Sequence, residues 1–141
     1  MILLDTNVLI YAFEAGSAFQ PWARHVIADA VANEGAIVNP IVLAEVCVGD
    51  SQPDRVGDRI CAWGVEVTSL PAAAAPVCAA AFSRYRARRA RHTGGTIAPM
   101  PLPDFFIGAH ARIIEAKLAT ADTERYLTYF PEVTLISPEG Q

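Results

Sequence analysis

The sequence predicts an α/β protein, a three-layer α/β/α sandwich on a mainly parallel sheet of about five strands. Two observations carry this. Strand-like runs recur at residues 2–4, 36–38, 65–68, 117–121 and 133–136, and the first two, Ile2-Leu3-Leu4 and Ala36-Ile37-Val38, are apolar throughout, as in strands covered on both faces. Between them lie stretches with three- and four-residue apolar spacing, so strand and helix alternate in the order that right-handed crossovers fold into a parallel sheet.

Composition bounds the rest. The 141 residues suit one domain over 1–141, and 52% apolar with 18% charged residues describes a folded core rather than a disordered chain. A net charge of -4 excludes a general polyanion binder, so any nucleic-acid contact must come from local charge. Cys47, Cys61 and Cys78 are odd in number and lack C-x-x-C spacing, which argues against a zinc site or disulfide framework and fits a reducing, cytoplasmic compartment. All three are expected as small core residues. No basic segment precedes the first apolar run, and residues 71–82, broken by Pro76, fall short of the roughly 20 apolar residues a membrane span needs. A soluble protein with no membrane partner is expected.

In chain order, the strand at 2–4 ends at Asp5, and a helix is expected from about Val8 to Phe13, stopped by Ala15-Gly16-Ser17. A second helix, from Pro21 at its first position to about residue 32, carries an inward stripe of Trp22, Ala23, Val26, Ile27, Ala30 and Val31. Asn33-Glu34-Gly35 breaks it before the strand at 36–38. Asn39-Pro40 turns the chain into an apolar helix holding Glu45, followed by a helix over 54–63 and the strand at 65–68. A long helix is expected from residue 72 or 76 to about 91, ended by Thr93-Gly94-Gly95, and three prolines make 96–103 a loop. Pro103 opens a helix to about residue 115; the strand at 117–121 ends before Asp122, and a short helix over 123–129 precedes the last strand.

Four acids sit where a parallel sheet presents its ligand edge: Asp5 and Asp122 after strands, Glu45 in a crossover helix, Asp104 at a helix start. Each also has a purely structural reading. Asp5, Thr6 or Asn7 can cap the first helix, Asp122 can cap the last, Asp104 can complement a helix dipole, and Glu45 can turn to solvent. If the four converge, their repulsion must be relieved by raised pKa values or by a divalent cation. An all-oxygen set without His or Cys at ligand spacing favours Mg²⁺ or Mn²⁺, whose chemistry with phosphate oxygens implies phosphodiester hydrolysis.

Leu4-Asp5-Thr6-Asn7-Val8, Glu45, Pro103-Asp104 with Ile107-Gly108-Ala109-His110-Ala111, and Leu118-Ala119-Thr120-Ala121-Asp122 with Tyr129-Phe130-Pro131 resemble the PIN-domain ribonucleases, and among them the VapC-type toxins of bacterial toxin-antitoxin systems. The resemblance runs from Leu3 to Pro138. It implies that Asp5, Glu45, Asp104 and Asp122 are metal-binding, catalytic acids, that Thr6, Asn7 and Thr120 belong to the site motifs, and that the chain is a Mg²⁺- or Mn²⁺-dependent endoribonuclease. It also implies a homodimer and a cognate antitoxin that blocks the site. Two positions depart: Gly108 stands where the family usually has Ala, and Ala121 where a polar or basic residue is common.

Residues 84–91 concentrate five of the eleven Lys and Arg residues. Arg84, Arg88 and Arg91 share a helical face suited to RNA phosphates or to the antitoxin, with Tyr85 placed to stack on a base; the structural alternative is a solvated helix end. Arg112 can reach a phosphate or pair with Glu115, and the pair is favoured. His25, His92 and His110 are read as structural, with His92 the nearest to an RNA role. Two other functions compete. A haloacid-dehalogenase-like phosphatase would use Asp5 as nucleophile, but it needs an acid where Asn7 stands. A catalytically silent RNA- or protein-binding module would not need all four acids.

Overall fold

The structure, a computed structural model, describes residues 1–92, 97 and 99–138. Five strands, β1 (Ile2–Leu4), β2 (Ala36–Val38), β3 (Glu66–Val67), β4 (Lys117–Ala119) and β5 (Leu135–Ile136), form one parallel sheet in the order β3-β2-β1-β4-β5. Among the described residues seven helices flank it: α1 (Thr6–Phe13), α2 (Gln20–Asn33), α3 (Pro40–Val48), α4 (Pro53–Ala62), α5 (Ala74–Arg91), α6 (Leu102–Ile113) and α7 (Thr123–Tyr129). This is the predicted α/β/α sandwich, with every strand pair parallel.

β1 is central, with Leu3 in register with Ile37 on one side and Leu118 on the other, and its three residues are buried. The chain builds outward from β1 through β2 to β3, then crosses back to lay β4 on the opposite edge of β1. The carboxyl ends of β1 and β4 therefore flank the point where strand order reverses, the crevice in which such sheets hold ligands.

Local differences from expectation have local causes. α1 starts at Thr6, ahead of Val8, because Asp5 itself is the N-cap, accepting from the Thr6 N–H at 2.8 Å. β4 stops at Ala119 because Thr120 and Ala121 turn their polar groups to β1's loop: Thr120 Oγ1 donates to Asp5, and the Ala121 N–H to Asn7 Oδ1. Gly35, at φ +87°, closes α2 with its N–H on the Ala30 carbonyl, as the Asn33-Glu34-Gly35 break predicts. Trp22 and Val31 flank the α2 stripe half-buried, while Ala23, Val26, Ile27 and Ala30 are buried. Only Cys78 is a core cysteine; Cys47 is half-buried and Cys61 exposed, correcting the expectation of three core residues. α5 runs to Arg91; its expected stop at Thr93-Gly94-Gly95, like Thr96 and Ala98 of the expected loop, lies outside the described residues. Among the described residues no helix is long and apolar enough to cross a membrane.

Candidate active site

Asp5 leaves β1 directly into the switch point and does two things there. Its Oδ1 caps α1, and its Oδ2 accepts from Thr120 Oγ1 at 2.8 Å, Tyr126 OH at 3.1 Å and Asn7 Nδ2 at 3.4 Å. Burial pushes its carboxyl above the usual range, the bonds from Thr120, Thr6 and Tyr126 oppose that, and the Glu45 charge adds to it. A buried carboxylate with this many donors is held in one orientation, and the reading of Asp5 as a helix cap is borne out.

The other three acids face the same cleft. Glu45, half-buried on α3, accepts from Thr6 Oγ1 at 2.7 Å, so Thr6 at the start of α1 bonds two acids, Asp5 through its N–H and Glu45 through its hydroxyl. Asp104, in the first turn of α6, is 8% exposed. Burial pushes its carboxyl up to about 6; Arg125 opposes the shift, and Asp5, Glu45 and Asp122 reinforce it. Asp122 stands at the N-cap of α7 without making a side-chain cap bond, and its Oδ2 instead meets Arg125 Nε at 2.8 Å. All four acids line one open cleft of about 600 Å³, together with Glu124. Five lining acids against Arg125 leave a strong negative excess, and an all-oxygen donor set is suited to a hard cation.

Arg125 and Tyr126 are the residues sequence reasoning missed. The Arg125 guanidinium bridges the cleft, donating through Nη1 to Asp104 Oδ2 and through Nε to Asp122. The three-residue step from Asp122 to Arg125 on a helix was a legible pairing signal; the bridge to Asp104 exists only in the fold. Among the described residues no group of three or more acid, His or Cys side chains is drawn together as for a metal ion; the Arg125 guanidinium contacts both Asp104 and Asp122.

The motif residues assemble as a hydrogen-bonded frame: Asn7 Nδ2 reaches Thr120 Oγ1 at 3.3 Å, and Asn7 Oδ1 accepts from the Ala121 N–H at 3.1 Å. None of the four arginines singled out in the sequence lines this cleft. Arg84 donates to the Tyr129 carbonyl at 3.1 Å and Arg88 to the Tyr129 hydroxyl at 3.5 Å, tying α5 to the end of α7, while Arg91 is exposed. Arg112 pairs with Glu132 at 3.3 Å rather than with Glu115, because α6 ends at Ile113 and Glu115 turns away at φ 55°. Tyr85 is not available to stack on a base: it is buried, and its hydroxyl accepts from the Met100 N–H at 2.8 Å. His110 is buried; His25 and His92 are exposed, with His92 Nδ1 at 2.9 Å from the Arg88 carbonyl.

A parallel α/β/α domain with carboxylates gathered at the strand-order reversal defines the class. The PIN domain family model matches residues 2–131, and the chain belongs to that family. Solved structures share its fold across nearly the whole chain. VapBC2 from Rickettsia felis, bound to a DNA fragment from its promoter, matches at a TM-score of 0.72 and 17% identity, covering 97% of this chain and 98% of that one. FitAcB from Neisseria gonorrhoeae matches at 0.70 and 19%, covering 100% of both. Mycobacterium tuberculosis VapC20, described as a Sarcin-Ricin loop cleaving toxin, matches at 0.62 and 17%, covering 95% of this chain and 99% of that one. Among curated proteins none matches.

Proposed function

We propose that the protein is a divalent-metal-dependent endoribonuclease and the toxin of a toxin–antitoxin pair. The observation that carries the reading is the placement of Asp5, Glu45, Asp104 and Asp122 in one cleft, where burial pushes the Asp104 carboxyl up to about 6 and the charges of the other three reinforce the shift. Asp5, Asp104 and Asp122 would hold Mg²⁺ or Mn²⁺, and Glu45 would position the ion or the attacking water. Such an ion, when bound, neutralises phosphodiester oxygens and lowers the pKa of water. The chain's own work is orientation. Thr120, Tyr126 and the Thr6 N–H fix Asp5, Thr6 aims Glu45, and Asn7 clamps the β4 turn that carries Asp122.

RNA as substrate, an antitoxin as partner, a homodimer and a cytoplasmic setting belong to the same proposal. The antitoxin is supported by the structural neighbours, which include a toxin-antitoxin complex from Klebsiella pneumoniae. A phosphatase using Asp5 as nucleophile gains no support, because Asn7 at the position such an enzyme needs as an acid is spent on the frame.

The test is RNA cleavage with Mg²⁺, Mn²⁺ or a chelator, for wild type and Asp5→Asn, alongside melting temperature. Mg²⁺ should raise the melting temperature by mass action. Outer-shell partners of metal ligands cost roughly 10- to 100-fold when lost, so Asp5→Asn should cost more than about a hundredfold in cleavage. Cleavage unchanged in Asp5→Asn, with no binding of either ion, would refute the reading; metal binding without cleavage of diverse RNAs would favour the silent binding module.

A further inference from the structure

We infer that Arg125 is the cleft's internal stand-in for the divalent cation: its guanidinium holds Asp104 and Asp122 together, and the arriving ion displaces it. The inference rests on the metal-dependent reading above and names a competitor within the same chain. Arg125 reaches both acids with separate nitrogens, Nη1 to Asp104 and Nε to Asp122. It is the one Lys or Arg among the described residues that line the cleft, facing Asp5, Glu45, Asp104, Asp122 and Glu124. Crowded carboxylates are stabilised by a neighbouring positive charge, and before an ion arrives the guanidinium is what supplies one.

The bridge is fastened unevenly. The Arg125 side chain is 38% exposed and the Asp122 side chain 41%, so that contact lies at the water surface, where ion pairs contribute little, while the Asp104 side chain is 11% exposed and its contact is the more sheltered one. Arg125 sits in the first turn of α7 with its side chain partly exposed, so a change of rotamer is the route by which the guanidinium would leave the acids. The Asp5 carboxylate, by contrast, is locked by donors from three elements and does not depend on Arg125. Metal arrival therefore exchanges a partly hydrated monovalent pair for a divalent ion at Asp104 and Asp122 and leaves Asp5 where it was.

Mn²⁺ titration followed by the resonance of the free ion, without RNA, tests this on wild type, Arg125→Gln, Arg88→Gln and Asp104→Asn. Removing an internal competitor should tighten Mn²⁺ binding roughly three- to tenfold in Arg125→Gln. Arg88, which lines the adjoining groove with Asp122 and Arg125 but donates to Tyr129, controls for the general field, and Arg88→Gln should stay within about twofold of wild type. Asp104→Asn should weaken binding. On unmutated protein, saturating Mg²⁺ should move the Arg125 Nε–H signal to that of a solvent-exposed arginine. Binding in Arg125→Gln equal to or weaker than wild type, equal tightening in Arg88→Gln, or an unmoved Nε–H signal would overturn the inference while leaving a metal-binding wild type intact. No Mn²⁺ binding by wild type or Arg125→Gln would bring down the metal reading and this inference with it.

Discussion

Asn39 and His110, both sealed from solvent, meet at 3.1 Å between Nδ2 and Nδ1 and so join the start of the Glu45 helix to the last turn of the Asp104 helix. Asn39 also caps α3, its Oδ1 accepting from the Val42 N–H at 3.0 Å. With both Asn39 amide atoms committed, the amide can only donate to His110, so the imidazole is neutral with its proton on Nε2. Two helices that each deliver one cleft acid are thereby set relative to one another by a single buried amide.

Asn39→Ala should accordingly lose a cap and leave a buried ring nitrogen unpaired. Those terms are about 1 kcal/mol and about 1–3 kcal/mol, so urea unfolding should show a loss of about 2–4 kcal/mol. Burial holds the His110 pKa below its ordinary value. The unfolded chain therefore takes up a proton near pH 6.5 that the native state refuses, and stability contributed by neutral His110 falls as pH drops from about 6.5 toward the folded value. The His110→Gln variant should lack that slope; an unchanged slope would place its origin elsewhere.

Much of this was readable in advance because strand and helix boundaries follow local chemistry: Pro at helix starts, Gly35 at the α2 end, apolar runs at β1 and β2. The convergence of Asp5, Glu45, Asp104 and Asp122 followed from one rule about parallel sheets and a family resemblance. What the chain order concealed was tertiary. Arg125 announces a pairing with Asp122, yet its second partner is 21 residues upstream. Tyr126 reads as a core aromatic, and its hydroxyl on Asp5 spans 121 residues. The arginines of α5 looked like a free basic stripe, but Arg84 and Arg88 are turned onto Tyr129 by the packing of α5 against α7.

Gly108, the departure from the usual Ala in this family, is explained by Phe130. A Cβ at position 108 would lie 2.4 Å from Phe130 Cδ2 and Cε2 and 2.9 Å from Cγ. Alanine is favoured over glycine inside a helix by about 1 kcal/mol, but a rigid buried ring cannot yield that distance, and overpacking costs about 1–3 kcal/mol or more. Gly108→Ala should therefore be less stable than wild type in chemical unfolding, and Phe130→Leu in the Gly108→Ala background should recover part of the loss. A stabilised Gly108→Ala single variant would contradict this packing.

Asp104 gives the opposite pH dependence to His110. Its carboxyl is pushed up to about 6, so between about pH 4 and 6 the native state binds a proton that the unfolded chain releases. The stability it contributes is present below about pH 4 and is lost as pH rises through about 6. Without metal, Asp104→Asn should remove this loss, and its melting temperature should exceed that of wild type by more at pH 7.5 than at pH 4.5. Because ligands must be deprotonated, stabilisation of wild type by Mg²⁺ should grow across the same interval. A difference between the two proteins that is flat from pH 4.5 to 7.5 would remove Asp104 as its source.

The α5 arginines should separate into two kinds. Arg84 donates to the Tyr129 main-chain carbonyl, so Arg84→Met removes a charged hydrogen bond between α5 and α7 and should cost about 1–2 kcal/mol in unfolding. Arg91 closes α5 and is exposed, and Arg91→Gln should leave stability within about 0.5 kcal/mol of wild type. If the basic end of α5 carries an RNA backbone, Arg91→Gln in the Asp5→Asn background should weaken RNA binding at low salt. It should also reduce the dependence of the logarithm of affinity on the logarithm of salt by about 1, the mark of one lost phosphate contact. An unchanged salt dependence would assign Arg91 to the dipole at the helix end, where its charge faces the carbonyls of the last turn and needs no RNA to account for it.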